Sequence, residues 1–425
     1  MPVLATLLET IRLRAGERSV RADAVRIYLL QFITVGIGLV SSVIVARTLG
    51  PSEKGIVDLF RVFTTFLSDF GLLGFGSGLL YYLANRHEPL ARIHGTGLAF
   101  AALMGALTIG VGLLLSPWLD KLFSGLPAWM LLLGLGLAPF AYYTLIWSNI
   151  VTGLNRAVLS YRMSSVFSGV NLAAVLLLWA LGYLGPGSVV VVAQSLALLN
   201  ALVALIILLR IEPRLSPSLE LARNSLRYSL VVYLGFLANT LHFKIDQLMI
   251  SAWLGTAALG IYAVSVRWVE MLFLLDSAII AAALYKIGSS PPAQAYQLTN
   301  RVLRTQLLIS GGAGALLALA AYPVVMLIYG ADYQDAIVPM FLLIPGIISW
   351  SLAKVMSQYI SYNRGRQWWP SFFAIGGLLV NVALNSVLIP LIGIRGASLA
   401  STFSYGAVML ATYVAFRKFG QSQVG

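Results

Sequence analysis

The stretch LGPSEKGI, Leu49–Ile56, returns as LGTAALGI, Leu254–Ile261, after a shift of 205 residues. Each copy follows a long apolar run and precedes another. Two further echoes keep nearly the same offset. The pair Asn155-Arg156 recurs as Asn363-Arg364, and the segment from Asn171 to Ser188 begins and ends like that from Asn381 to Ser398. Each match alone is weak. Three in order, at nearly one offset, point to an internal duplication.

Working outward from these copies, apolar runs of about 20 residues fill the chain, the length that crosses a bilayer as a helix. Twelve spans are expected: 26–47, 56–83, 93–116, 127–151, 158–183, 188–210, 226–253, 257–287, 304–329, 336–362, 370–390 and 394–416. Six is an even number, so the two copies keep the same orientation and are related by an axis along the membrane normal. Such parallel repeats place a substrate path between the halves. The expected fold is an all-α polytopic membrane protein of twelve helices in two six-helix lobes around a central cavity. Residues 1–25 form an amphipathic N-terminal segment, 26–210 the first lobe, 211–225 a basic linker, 226–417 the second lobe and 418–425 a tail.

Composition agrees. Of 425 residues, 59% are hydrophobic and 10% charged. A soluble domain carries about 25% charged residues and needs them to cover its surface. The net charge of +13 fits the excess of Lys and Arg on cytoplasmic loops rather than nucleic-acid binding. Twenty cations, among them Arg12, Arg86, Arg92, Arg162, Arg227, Lys286, Arg364 and Lys418, fall on the side that holds both termini. Arg47, Lys54, Lys121 and Arg395 fall on the other. Both termini are therefore expected in the cytoplasm. The first residues do not read as a cleavable signal, because Glu9 interrupts the apolar start and Arg12, Arg14, Arg18 and Arg21 follow. With no cysteine, and with His87, His94 and His242 in no paired ligand spacing, no metal centre, cofactor or thiol chemistry is expected.

The polar residues inside the spans have helical phase. A charge at mid-span costs about 2.5–3.5 kcal/mol on insertion scales. Such groups usually face protein or water. Asp58, Arg61, Thr65 and Asp69 form one stripe on span 2. Gln31, Thr34, Gly38 and Ser41 share a face of span 1, and Ser351, Lys354, Gln358 and Ser361 a face of span 10. Span 7 presents two faces, one with Asn239, His242 and Asp246, the other with Thr240, Lys244, Gln247 and Ser251; one should line a cavity and the other pack. The cations Arg61, Lys244, Arg267 and Lys354 suit an anionic cargo. Asp69, Asp246, Glu270 and Asp276 would balance those cations or carry coupling protons. A purely structural reading stands beside this one: Arg61 with Asp58, Arg267 with Glu270 and His242 with Asp246 would be local pairs.

VARTLGPSEKGIVDLF (Val45–Phe60), HFKIDQLMISAWLGTAALGIYAVSVRWVE (His242–Glu270) and, best of all, SYNRGRQWWPSFFAIGGLLVNVALNSVLIPLIGIRGASLAST (Ser361–Thr402) resemble polysaccharide flippases of the multidrug/oligosaccharidyl-lipid/polysaccharide exporter superfamily. The resemblance implies a MATE-like fold and a flippase that moves a polyprenyl-diphosphate-linked oligosaccharide from the cytoplasmic to the outer leaflet of a bacterial inner membrane. It implies alternating access driven by an ion gradient. The substrate candidates are then Arg47, Arg61, Lys244, Arg267 and Lys354, and the ion-coupling or charge-balancing candidates Asp69, His242, Asp246, Glu270 and Asp276. The partners implied are an anionic lipid-linked glycan, membrane lipids and a coupling ion, proton or sodium. The chain is expected to act as a monomer and not as an enzyme. A drug or cation antiporter of the same superfamily would want a compact carboxylate site. A membrane polymerase or ligase would want a catalytic constellation on a sizeable outer loop, and the outer loops here are short and lack histidine.

Overall fold

The computed structural model describes residues 20–421, so most of the expected N-terminal segment (1–19) and the end of the tail lie outside the described residues. The first helix, α1 (Val20–Gly71), contains 52 residues. A straight helix of that length would be about 78 Å long, more than twice the hydrocarbon thickness of a bilayer. It breaks at Gly50, whose φ of 71° and ψ of 178° place it in the region that a side chain disfavours. Pro51 then opens the second limb, a position where its missing N–H costs nothing. Ser41, Ser42 and Val45 of the first limb line one cavity with Lys54, Val57 and Asp58 of the second, so the chain doubles back there.

The repeat reproduces this hinge. Helix α8 (Leu219–Glu270) breaks at Gly255, with φ 84° and ψ 176°. Gly50 and Gly255 are counterparts at the 205-residue offset. Short helices α2 (Phe75–Arg86) and α9 (Leu272–Ser289) complete spans 2 and 8. Between the hinges run α3 (Leu90–Leu114), α4 (Ser116–Leu122), α5 (Ala128–Gly153), α6 (Ala157–Ala180) and α7 (Pro186–Ile211). After them come α10 (Pro292–Pro323), α11 (Ile337–Gln358), α12 (Trp368–Ile392) and α13 (Ile394–Gln421). Ten stretches among the described residues are long and apolar enough to cross a membrane. Two of them contain the hinges at Gly50 and Gly255 and cross twice, which gives the twelve expected spans.

The lobes pack alike. Span 1 lies on span 5, span 3 on span 4 and span 4 on span 6. Span 7 lies on span 11, span 9 on span 10 and span 10 on span 12 in the same way. Trp147, Tyr142 and Phe75 are wholly or almost wholly buried in the core of the first lobe. A larger apolar cluster crosses between the lobes, joining Leu59 and Phe63 to Leu259, Tyr262 and Met340. The lobes meet closely at the hinge end. There, a methyl on Gly55 would stand 1.8 Å from the Thr256 carbonyl oxygen, and one on Gly260 would stand 2.1 Å from that of Pro51.

Candidate functional site

At the opposite end the lobes leave a cavity of about 980 Å³. Its mouth holds Asn85, Tyr228, Tyr362 and Gln367, all exposed, next to the basic residues Arg86, Arg364 and Arg366. The walls come from spans 2, 7, 8, 10, 11 and 12. They carry hydroxyls and amides (Ser77, Asn239, Ser357, Gln358, Ser371, Thr412), aromatic faces (Tyr81, Tyr228, Trp350) and one charged side chain, Lys354. The Lys354 ammonium lies 4.5 Å from the centre of the Phe273 ring. Tyr81 and Tyr228 stack at 4.3 Å, linking spans 2 and 7.

Nearer the hinge end is a smaller pocket of about 70 Å³, lined by Lys54, Asp58, Arg61, Lys244, Gln247, Arg267 and Glu270. Along span 7, Asn239 lines the large cavity and Lys244 the charged pocket, about 7.5 Å further on at 1.5 Å per residue. Spans 2 and 7 are joined between them, where Thr240 donates to Asp69 at 2.9 Å. Lys54 pairs with Asp58, both buried, and Arg61 approaches the other Asp58 oxygen at 3.6 Å. Lys244 pairs with Glu270 at 3.2 Å. The Arg267 guanidinium lies against Gly38, where an added methyl would stand 2.8 Å from it, and among the described residues its Nε has no hydrogen-bond partner. Four cations face two carboxylates, so the pocket carries two excess positive charges.

The sequence-derived candidates sort unevenly. Arg61, Lys244, Arg267 and Glu270 come together, while Lys354 lines the large cavity. Arg47 does neither: it is exposed at the hinge end and donates to the Leu327 carbonyl at 2.7 Å. The two faces of span 7 separate only in part, because Asn239, expected on the face of His242 and Asp246, lines the large cavity. Thr240, Lys244 and Gln247 face the inter-lobe space, whereas His242 and Asp246 turn into the second lobe.

Of the three local pairs expected from spacing, Arg61 with Asp58 forms at 3.6 Å, and the other two need correction. His242 bonds Ser404 at 2.8 Å, and Asp246 accepts from Tyr262, Ser401 and the Gln247 N–H. Span 12 offers hydroxyls to both side chains, and these satisfy them better than each other. Glu270 takes Lys244 as its partner in place of Arg267. Asp276 accepts from Gln306, Ser310 and Ser351. Sequence reading missed Lys54 altogether, placing it on an outer loop; its i, i+4 spacing to Asp58 was the available signal.

Twelve crossings in two like-oriented lobes around a charged inter-lobe cavity define the fold of the multidrug/oligosaccharidyl-lipid/polysaccharide exporter superfamily. One solved neighbour is described as the inward-facing conformation of a multidrug resistance MATE family transporter. It overlays with a TM-score of 0.75 at 16% identity and covers 98% of both chains. Lipid II flippase MurJ, in an inward closed conformation, overlays with a TM-score of 0.78 at 14% identity over 94% of this chain and 90% of that one. The chain belongs to the polysaccharide biosynthesis protein family, whose model matches residues 44–338. Among curated proteins, the succinoglycan biosynthesis transport protein ExoT of Rhizobium meliloti (strain 1021) is 25% identical over 341 residues, 78% of this chain and 66% of that protein.

Proposed function

We propose that this chain is a flippase that carries a polyprenyl-diphosphate-linked oligosaccharide from the cytoplasmic to the outer leaflet for surface polysaccharide synthesis. The observation that carries this reading is the division of the inter-lobe space. A pocket with two excess positive charges suits a diphosphate. The wider cavity beside it, walled by hydroxyls, amides and aromatic rings, suits a glycan. Membership in a polysaccharide biosynthesis family supports the cargo class.

In this reading the basic end lies in the cytoplasm of a bacterium, with both termini there, and the chain stands open to the cytoplasm and closed outside. Cargo enters from the basic end, its diphosphate settles against Arg61, Lys244 and Arg267, and the hinge-end seal parts to release it. Asp58 and Glu270 hold the cations in place without cancelling them. Neither carboxylate stands free of a cation, so the pocket does not offer the compact acidic site a drug or cation antiporter would want.

Depletion in the host followed by mass spectrometry of membrane lipids tests the reading. A polyprenyl-linked oligosaccharide should accumulate as the surface polymer falls. An unchanged lipid pool with reduced tolerance to drugs or toxic cations would replace it with the antiporter reading.

A further inference from the structure

The first lobe holds a side pocket of about 240 Å³ among spans 1, 2, 5 and 6. Four neutral polar side chains face it: Ser41 and Ser42 on span 1, Asn171 on span 5 and Gln194 on span 6. Asn171 lies nine residues before its helix ends at Ala180, and Gln194 eight residues after Pro186 opens the next helix. At 1.5 Å per residue, each amide is about 12–14 Å inside its span.

Among the described residues, none of these four side chains makes a hydrogen bond. A serine or threonine inside a helix can turn back on the carbonyl one turn earlier, as Thr34, Thr144 and Ser165 do here. Ser41 and Ser42 do not. Hydrocarbon cannot satisfy polar groups at this depth, so they face water, protein or a ligand. Four of them, from three spans, surround one space.

The chemistry of the lining defines the guest. Amides and hydroxyls both donate and accept hydrogen bonds, as sugar hydroxyls do. A cation would want an unpaired carboxylate, and the carboxylate here, Asp58, is paired with Lys54. The pocket shares Ser42, Lys54, Asp58 and Arg61 with the charged pocket, so a diphosphate seated there has its first sugar at this mouth. The volume is about a quarter of the wide cavity's, which suits one sugar ring here and several there.

We infer that Ser41, Ser42, Asn171 and Gln194 form the recognition site for the sugar bonded directly to the diphosphate, a neutral hexose. The later sugars run back into the wide cavity. The inference rests on the flippase reading and adds the place where the cargo is selected.

Polyprenyl diphosphate and its glucosyl, galactosyl and N-acetylglucosaminyl derivatives are titrated separately against the purified full chain. The quantity read is the affinity of each glycosyl lipid relative to the bare one. Two or three added hydrogen bonds are worth about tenfold or more, so wild type should favour at least one glycosyl lipid by that factor. Asn171→Leu and Gln194→Leu should bring the ratio close to one and leave binding of the bare lipid unchanged, which also reports folding. Lys244→Ala/Glu270→Gln, in the charged pocket alone, should weaken every lipid and keep the ratio. Ser41→Ala/Ser42→Ala removes hydroxyls that hold no contact in the fold, so its loss of preference decides the matter if neither leucine variant folds. The site is overturned if wild type binds the bare lipid as well as all three glycosyl lipids, or if the well-folded variants keep the wild-type ratio. A ratio that moves only with Gln358→Leu would place the first sugar in the wide cavity instead. Binding of none of the four lipids would bring down the flippase reading itself, and this site with it.

Discussion

Gly55 of the first repeat packs directly on Thr256 of the second: a methyl on Gly55 would stand 1.8 Å from the Thr256 carbonyl oxygen. Gly260 and Pro51 make the reciprocal contact at 2.1 Å. All four residues lie in the two copies of the repeated octapeptide or one residue from its hinge glycine. The obstacle in each case is backbone, so no side-chain rotation relieves it. Gly55→Ala and Gly260→Ala should therefore part spans 2 and 8 at the hinge end. The chain contains no cysteine, so one placed at Gln247, in the charged pocket, reports access without background. A membrane-impermeant thiol reagent added outside should label it several-fold faster in the alanine variants. An unchanged labelling rate would show that this contact is not the seal.

The same seam can be locked. The Ser52 and Thr256 hydroxyl oxygens lie 3.5 Å apart across the two repeats. Side chains this close suit a disulfide between their replacements. A Ser52→Cys/Thr256→Cys protein should stop transporting when oxidised and recover on reduction. Full transport by completely cross-linked protein would mean that the hinge end does not open during the cycle.

Much of this arrangement was legible in the sequence, because helical periodicity and the repeat offset are local properties. The stripe Asp58–Arg61–Thr65 was read from spacing alone, and it lines the pocket. Partner choice was not legible. His242 and Asp246 sit one turn apart but turn to Ser404 and Ser401, which are about 160 residues away in the chain and adjacent only once spans 7 and 12 pack. Lys54 was misplaced for a different reason. Gly50-Pro51 reads as the start of a loop, yet the positive φ of Gly50 turns the chain in a single residue. The helix restarts at once, and Lys54 lies in its first turn, 3% exposed.

The charged pocket makes a graded prediction for transport. Hydrogen bonds to charged groups are worth about 1.5–3 kcal/mol, or about ten- to hundredfold in affinity. Arg61 is exposed to the cavity and makes only the 3.6 Å approach to Asp58, so Arg61→Gln should fold normally. Its apparent affinity for lipid-linked oligosaccharide in proteoliposomes should fall within that range. Lys244→Ala leaves Glu270 unpaired, and Lys244→Ala/Glu270→Gln separates that effect from the loss of the cation. Arg47→Gln, outside both cavities, should transport within about twofold of wild type, as expected for an exposed contact. Equal losses for Arg47 and Arg61 would remove the pocket from the mechanism.

The buried pair Lys54–Asp58 should matter to folding more than to cargo. Lys54→Met would leave the Asp58 carboxylate, 9% exposed, with only the longer Arg61 contact. Breaking a buried pair from one side costs about 3–5 kcal/mol, whereas replacing both partners with apolar residues is often neutral. Thermal unfolding in detergent should then rank Lys54→Met well below wild type and Lys54→Met/Asp58→Leu close to it. The double substitution removes one charge of each sign, so the pocket keeps its two excess positive charges. It should therefore restore transport together with stability. A double variant as stable as wild type but inactive would show instead that Lys54 or Asp58 acts on the cargo directly, and the diphosphate contact would have to include this pair.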